Sequence, residues 1–400
     1  MSIKMENLQK IFYNLLQNFD ISYKRYFFTR VDFSEKLIGI IGDRGIGKTT
    51  FLLQYLRESA LQLHEKLYVN AEYIIMSNIN LLELAGEFYA QGGKLLVIDE
   101  IHKYEDFEKH LKLIYDMVDI KVIFSGSSAI KLEHSKADLS RRAVLYRFQG
   151  LSFREFLELK LSRTFPSYSL EDILVHHVDI AYDLTKEFRP FEYFKEYLSY
   201  GYYPFYFDTS KEIFYLKLNE TINATIEFDL SHIFNIEPKF TIKLKQLVTM
   251  ICQGKPYELN ISKLATKIGI NRNTLYQYIY YLDRGNIFNS IDSKSRGDNI
   301  FAKPQKLYLS NTNLSSAYCE NSDVGTLRES FFVNQLRDSN TIEYSQIGDF
   351  LVDGKYIFEV GGKNKSFTQI KDIKNSYIVA DAIEVGSQNK IPLYLFGFMY

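Results

Sequence analysis

Apolar positions recur at two different periods along the chain, and the change of period divides it. Over the first 150 residues, short and nearly unbroken apolar runs stand at Leu37–Ile41, Lys66–Asn70, Lys94–Ile98, Lys121–Phe124 and Ala143–Phe148. Between them lie amphipathic stretches of helical period, among them Phe51–Leu63, Asn80–Ala90 and Tyr104–Met117. Runs that are apolar throughout predict strands buried on both faces, hence a parallel sheet covered by helices. From Ser152 to about Ile251 the period becomes 3.6, and Phe153–Leu161, Leu170–Glu187 and Ile213–Phe234 predict a helical region with one turn-rich break at Tyr200–Pro204. From Tyr257 to Leu309 the pattern is helix, turn, helix and two strand-like runs; from Asn311 it is helix, strand, tight turn, strand, helix and strands. The predicted division is therefore 1–150, 151–251, 252–310 and 311–400.

Composition changes this picture little. Forty-eight lysines and arginines against 49 aspartates and glutamates exclude a basic nucleic-acid coat and an acidic disordered chain. A hydrophobic fraction of 46% is ample for packed cores. The 31 tyrosines and 31 phenylalanines, with no tryptophan, are read as core. Two cysteines, Cys252 and Cys319, predict no disulfide framework and no structural zinc site. The N-terminus lacks the pattern of a signal peptide, and no run of 18 apolar residues predicts a membrane span, so a cytoplasmic protein is expected.

The candidate chemistry begins at Gly42. The segment Gly42, Asp43, Arg44, Gly45, Ile46, Gly47, Lys48, Thr49 fits G-x-x-x-x-G-K-[ST], follows a predicted strand and precedes a helical run that opens with Thr50. Glycines let backbone N–H groups turn inward around a phosphate, and a helix N-terminus adds positive potential. In such a loop Lys48 reaches the β and γ phosphates and the Thr49 hydroxyl holds Mg²⁺. A second strand, Leu95–Ile98, ends in Asp99 and Glu100. Strand C-termini are where parallel sheets bind ligands, so Asp99 is predicted to hold Mg²⁺ and Glu100 to act as general base on water. One strand lies between these motifs in sequence, which with the adjacent glutamate predicts the additional-strand class of P-loop ATPases. The run Val122–Phe124 ends in Ser125, Gly126, Ser127 and Ser128. Ser125 is predicted to sense the γ-phosphate or the attacking water. Arg141, Arg142 and Arg147 follow, and Arg142 is the candidate for stabilising transition-state charge at the site of a neighbouring copy, as in ATPases that act in rings or dimers.

GDRGIGKTT, LLVIDEIHK, IFSGSSA and RRAVLYRFQGLSFREFL, in this order, resemble prokaryotic AAA-type ATPases of the archaeal ATPase (STAND-related) clade. The resemblance extends over the whole chain. It implies an α/β P-loop NTPase core (1–150), a helical region (151–251), a winged helix (252–310) and a C-terminal domain (311–400) resembling PD-(D/E)xK nucleases. It also implies ATP binding and hydrolysis, with a role linked to DNA, mobile elements or defence.

The winged-helix expectation rests on Ile261–Lys267, the turn Ile268–Ile270 and Asn271–Leu282, with Leu264, Ala265, Ile268, Ile270, Leu275 and Ile279 as core and Asn271 as N-cap. Arg272, Asn273, Tyr276, Gln277 and Tyr280 would face outward, and Lys294, Arg296 and Lys303 would lie on the wing loop. From Lys255 to Ser310 nine lysines and arginines stand against four acids, the sign that phosphate neutralisation needs. In the nuclease-like part, Glu329, Asp349 and Glu359 are candidate Mg²⁺ ligands with Lys363 assisting water, although the usual lysine position, two residues after the glutamate, is Gly361. A two-residue turn at Asp353–Gly354 would pair Asp349 with Phe358 and separate the carboxylates. A three-residue loop, Val352–Gly354, would pair Asp349 with Ile357 and set Asp349 and Glu359 on one face.

The sequence thus predicts an Mg²⁺-dependent ATPase. Its expected partners are DNA held by the winged helix and further copies of the chain in a homo-oligomer; alternatively, the chain is a nucleotide-gated switch or assembly module whose nuclease-like domain is inactive. No membrane partner is expected.

Overall fold

The computed structural model describes residues 3–126, 139, 141–252, 259–293, 303–319 and 322–400. Lys255, Tyr257, Ser127, Ser128, Lys294 and Arg296, invoked above, lie outside these residues. The chain folds as two compact units, residues 1–149 and 150–400.

The first unit is built on five strands, β1 (Leu37–Ile41), β2 (Lys66–Asn70), β3 (Leu95–Asp99), β4 (Lys121–Gly126) and β5 (Val144–Arg147). All are parallel, in the order β2-β3-β4-β1-β5. Every residue of β1 and β3 is buried, which is why these strands read as continuous apolar runs instead of alternating ones. Among the described residues, four helices accompany the sheet: α1 (Ile3–Gln17), α2 (Lys48–Glu58), α3 (Leu81–Ala90) and α4 (Phe107–Met117). Each buries one stripe, for example Leu81, Leu84, Ala85 and Phe88 of α3 and Phe107, Leu111 and Ile114 of α4. Asn80 caps α3 by accepting from the N–H groups of Leu82 and Glu83. β4 lies between β1 and β3, so the two motif-bearing strands are separated by one neighbour, the order expected of a P-loop NTPase sheet of the additional-strand class.

The second unit opens with helices α5 (Phe153–Leu161), α6 (Leu170–Glu187), α7 (Pro190–Glu196), α8 (Lys211–Ala224), α9 (Ser231–Phe234) and α10 (Pro238–Cys252). A wide turn at Tyr197–Gly201 and a tight one at Pro204–Asp208 occupy the turn-rich break. Capping boxes begin α5 at Ser152 and α6 at Ser169. Then come α11 (Ile261–Ile268) and α12 (Arg272–Arg284), followed by an antiparallel pair, β6 (Phe288–Ile291) and β7 (Lys306–Leu309). Helices α13 (Thr312–Tyr318) and α14 (Val324–Leu336) precede a second sheet made of β8 (Ile342–Tyr344), β9 (Phe350–Val352), β10 (Tyr356–Gly361), β11 (Ser376–Ala380) and β12 (Lys390–Pro392). The pairs β8–β9 and β9–β10 are antiparallel, and β10–β11 and β11–β12 parallel. Phe332 of α14 packs against Phe350, Phe358 and Phe396 beneath this sheet.

The cysteines, read from sequence as too few for a framework, form one disulfide, Cys252–Cys319, with Cα atoms 5.5 Å apart. The bridge joins the end of α10 to the residue after α13. It closes a loop that contains the helix-turn-helix and the β6–β7 pair.

Candidate active site

The loop after β1 is shaped by its glycines. Gly45 and Gly47 have φ of 78° and 95°, left-handed values that favour glycine. At Gly42 the constraint is close approach, since a Cβ there would lie 2.3 Å from the carbonyl oxygen of Phe148. Ile46, fully buried, anchors the loop's apolar side. Arg25, 7% exposed, holds it from outside the motif: its guanidinium donates to the carbonyls of Ile46 (3.1 Å) and Gln149 (3.0 Å) and lies over the Phe148 ring. The Lys48 ammonium donates to the carbonyls of Gly42 (3.1 Å) and Asp43 (2.6 Å), which keeps it inside the loop. Arg44 and Thr50 are half-buried and Thr49 is exposed.

Asp99 is completely buried, so its oxygens need partners. One oxygen accepts from the Thr49 hydroxyl (2.6 Å) and the Tyr68 hydroxyl (2.7 Å). The other accepts from the Ser125 hydroxyl and the Glu100 N–H (3.1 Å). The Glu100 N–H also reaches Ser125 Oγ at 3.2 Å. Thr49, Asp99, Glu100 and Ser125, picked out on three segments of sequence, therefore meet at the C-terminal edge of β1, β3 and β4. Burial and the Asp99 charge push the Tyr68 hydroxyl far above its ordinary pKa, so it is a fixed donor; the same two causes raise Tyr73. Glu100 has φ 52° and ψ 39°, a left-handed conformation that is unfavourable for a residue with a Cβ. This turn brings its carboxylate 3.5 Å from His102 Nδ1. The donors that would surround a magnesium ion, a hydroxyl and a carboxylate, are the hard oxygens Mg²⁺ takes.

Sequence reasoning missed Tyr68, Arg25 and His102. Only Tyr68 left a trace, as the one aromatic with a polar tip in β2, beside β3. Arg142 is not brought to this cluster. Its Nε and Nη2 bind Asp116 of α4 at 2.9 and 3.0 Å, and these bonds lower the Asp116 pKa and raise that of Arg142.

In the second unit Asn271 caps α12 by accepting from Thr274 N–H (2.8 Å). Ala265, Ile268, Leu275 and Ile279 are buried, while Leu264 and Ile270 are only half-buried. Arg272, Asn273 and Lys303 are exposed; Tyr276, Gln277 and Tyr280 are half-buried, with Tyr280 edge-on to Phe234 and beneath Arg284.

The predicted second metal site departs from expectation in its turn and its lysine. The loop between β9 and β10 is Asp353–Lys355, one residue later than predicted, with Asp353 and Gly354 both left-handed. Val352 pairs with Tyr356 and Phe350 with Phe358, and just before β9 the Asp349 N–H also donates to the Phe358 carbonyl (2.8 Å), so Asp349 faces Phe358, not Ile357. Lys363 is exposed, and it is Lys365 that binds Glu359. Glu329 and Asp349 share a different lysine, Lys306, at 2.9 and 2.8 Å. Among the described residues no group of three histidine, cysteine or acidic side chains is arranged to hold a metal. Burial, then the Asp349 charge, raises Glu329; at Glu359 burial raises the pKa against the lowering bond from Lys365. Burial opposes the charge on Lys306, but Glu329 and Asp349 outweigh it and hold its pKa above the ordinary lysine value.

Residues 34–157 match the family model described as AAA domain, and residues 191–324 match a domain of unknown function. An uncharacterised protein of Methanocaldococcus jannaschii is 27% identical over 289 residues, which cover 68% of this chain and 60% of that protein. Among solved structures, a Walker-type ATPase of Pyrococcus abyssi is similar over 78% of this chain and 95% of its own, with 11% identity and a TM-score of 0.39. The Orc1 protein of Aeropyrum pernix, solved in complex with DNA, is similar over 83% of this chain and 93% of its own, with 16% identity and a TM-score of 0.28. No helix among the described residues is long and apolar enough to cross a membrane.

Proposed function

We propose that residues 1–149 bind ATP with Mg²⁺ and hydrolyse it. The observation that carries this reading is the convergence of Thr49, Asp99, Glu100 and Ser125 beside a glycine loop that ends in Lys48 at the start of α2. The loop N–H groups, the N-terminus of α2 and Lys48 bind phosphate. Thr49 and Asp99 hold the metal, which when bound withdraws charge from the phosphate oxygens. Glu100 takes the proton of the attacking water, and Ser125 fixes the geometry between Asp99 and the Glu100 backbone. Arg142, bound to Asp116 in its own chain, is the arginine that would serve the site of a neighbouring copy. Lys48→Ala is expected to abolish nucleotide binding, and Glu100→Gln to keep binding while stopping turnover; hydrolysis unchanged in both variants refutes the assignment.

We propose further that residues 261–310 form a winged helix that meets the DNA backbone, an assignment supported by the helix-turn-helix, the β6–β7 pair and the local excess of basic residues. Lys306 is withdrawn from that count by its carboxylate partners. A rival reading of the second unit, a nucleotide-gated switch or assembly module with an inactive nuclease-like part, is favoured by the lysines that lie on all three candidate ligands. Mn²⁺-dependent DNA cleavage that disappears in Asp349→Ala supports DNA processing; ATP-dependent assembly without cleavage supports the switch.

A further inference from the structure

Lys306 stands where neither the nucleotide chemistry nor the predicted DNA contact asks for a lysine. It belongs to β7, is 4% exposed, and its ammonium binds Glu329 of α14 at 2.9 Å and Asp349, just before β9, at 2.8 Å. Three segments remote in sequence thus meet on one positive charge. The same ammonium lies 4.6 Å from the centre of the Phe350 ring. Tyr308, on the same strand, donates its hydroxyl to Glu329, and the second Asp349 oxygen accepts the Val360 N–H at 2.8 Å. The third carboxylate, Glu359, is 3% exposed and bound by Lys365.

We propose that the Lys306 ammonium is the resident cation of this cluster, filling the place a divalent metal would take between Glu329 and Asp349 and fastening β7 to α14 and the second sheet. This deepens the reading of the second unit as a scaffold or switch, and it stands apart from ATP hydrolysis by residues 1–149. The argument is one of fit. Mg²⁺ needs carboxylate oxygens at about 2.0–2.1 Å in octahedral array and keeps several waters. Here those oxygens face ammonium groups, a backbone N–H and a phenol, all of which are donors, as a metal's neighbours cannot be. A buried ammonium with two carboxylate partners also satisfies the rule that buried charges are paired, without any ion from solution. Removing the ammonium leaves two adjacent half-buried carboxylates, an arrangement that calls for a cation from outside.

The test uses the full chain without nucleotide, Mn²⁺ as probe, titration calorimetry, and nicking of supercoiled plasmid. Wild type and Asp349→Asn are expected to give the same Mn²⁺ isotherm and no nicking. Lys306→Met is expected to gain a Mn²⁺ site at least about tenfold tighter than any in the wild type, since one unit of ammonium–carboxylate coupling is a factor of ten. The gained site should vanish in Lys306→Met/Asp349→Asn. Mn²⁺ uptake or nicking by the wild type that Asp349→Asn removes overturns the proposal, as does a folded Lys306→Met with no new site. If Lys306→Met does not fold, the comparison of wild type with Asp349→Asn decides alone: identical isotherms support the proposal and different ones overturn it. Lys48→Ala in parallel tests the ATP reading, and its outcome leaves the Mn²⁺ result unaltered.

Discussion

Replacing Tyr68 with phenylalanine removes one oxygen and changes almost nothing else, so its effect can be reasoned closely. The Tyr68 hydroxyl lies 2.7 Å from an Asp99 oxygen inside a site where Asp99 has no exposure. A hydrogen bond to a charged group contributes about 1.5–3 kcal/mol. Thr49, Ser125 and the Glu100 N–H remain on the carboxylate, so it is not stranded, and the lower end of that range applies. A loss of about 1.5 kcal/mol corresponds to a melting shift of several degrees for a unit of this size. Outer partners of a metal-holding carboxylate also orient it, and losing one costs about 10–100-fold in metal affinity. The assay is ATP hydrolysis against Mg²⁺ concentration, alongside urea denaturation. The half-saturating Mg²⁺ is expected to rise about tenfold or more, with maximal rate recovered at high Mg²⁺. A half-saturating Mg²⁺ equal to that of the wild type would refute Tyr68 as a positioning residue, whatever happened to stability.

Other perturbations test other parts of the fold. Gly47→Ala forces a Cβ onto a backbone with φ of 95°, costing about 1–2 kcal/mol, and should weaken nucleotide binding by a similar factor in a fluorescent-nucleotide titration. Reducing Cys252–Cys319 frees a loop of 67 residues' separation, and the chain-entropy estimate for that length is about 4 kcal/mol, to be read as a lower denaturation midpoint of the second unit under dithiothreitol with ATPase rate unchanged. Glu359 has a pKa raised above its ordinary 4.5, so the folded state binds its proton more tightly than the unfolded chain does. Its contribution is therefore full below pH 4.5 and is lost as pH rises through the raised value. Stability of the second unit should fall over that interval, and less steeply in Glu359→Gln.

Much of the first unit was legible because its signals are local. All five strands appear in the apolar runs, and β1 and β2 have the boundaries the runs predict. Helix α2 starts at Lys48 instead of Phe51 because the turn ends at Gly47, and α4 starts at Phe107 instead of Tyr104 because a short turn, Ile101–Lys103, follows Glu100. Such ends depend on a few dihedral angles that hydrophobic period does not encode. In the second unit α5 and α6 match their predicted spans, helped by capping serines that are themselves sequence signals.

The sequence by itself determined the phosphate loop, the acidic strand end, the serine after β4 and the alternation of strand and helix, since each depends on residues adjacent in the chain. Strand order was decided by tertiary structure: only the insertion of β4 between β1 and β3 sets Ser125 against Asp99. Tyr68 and Arg25 gained their roles in the same way, from bonds spanning 31 and up to 124 residues. The second unit shows this most sharply. Its three carboxylates could be found in sequence, but not the lysines that neutralise them, because Lys306 comes from a strand 43 residues before Asp349 and a charge can be paired by any element that packs close enough.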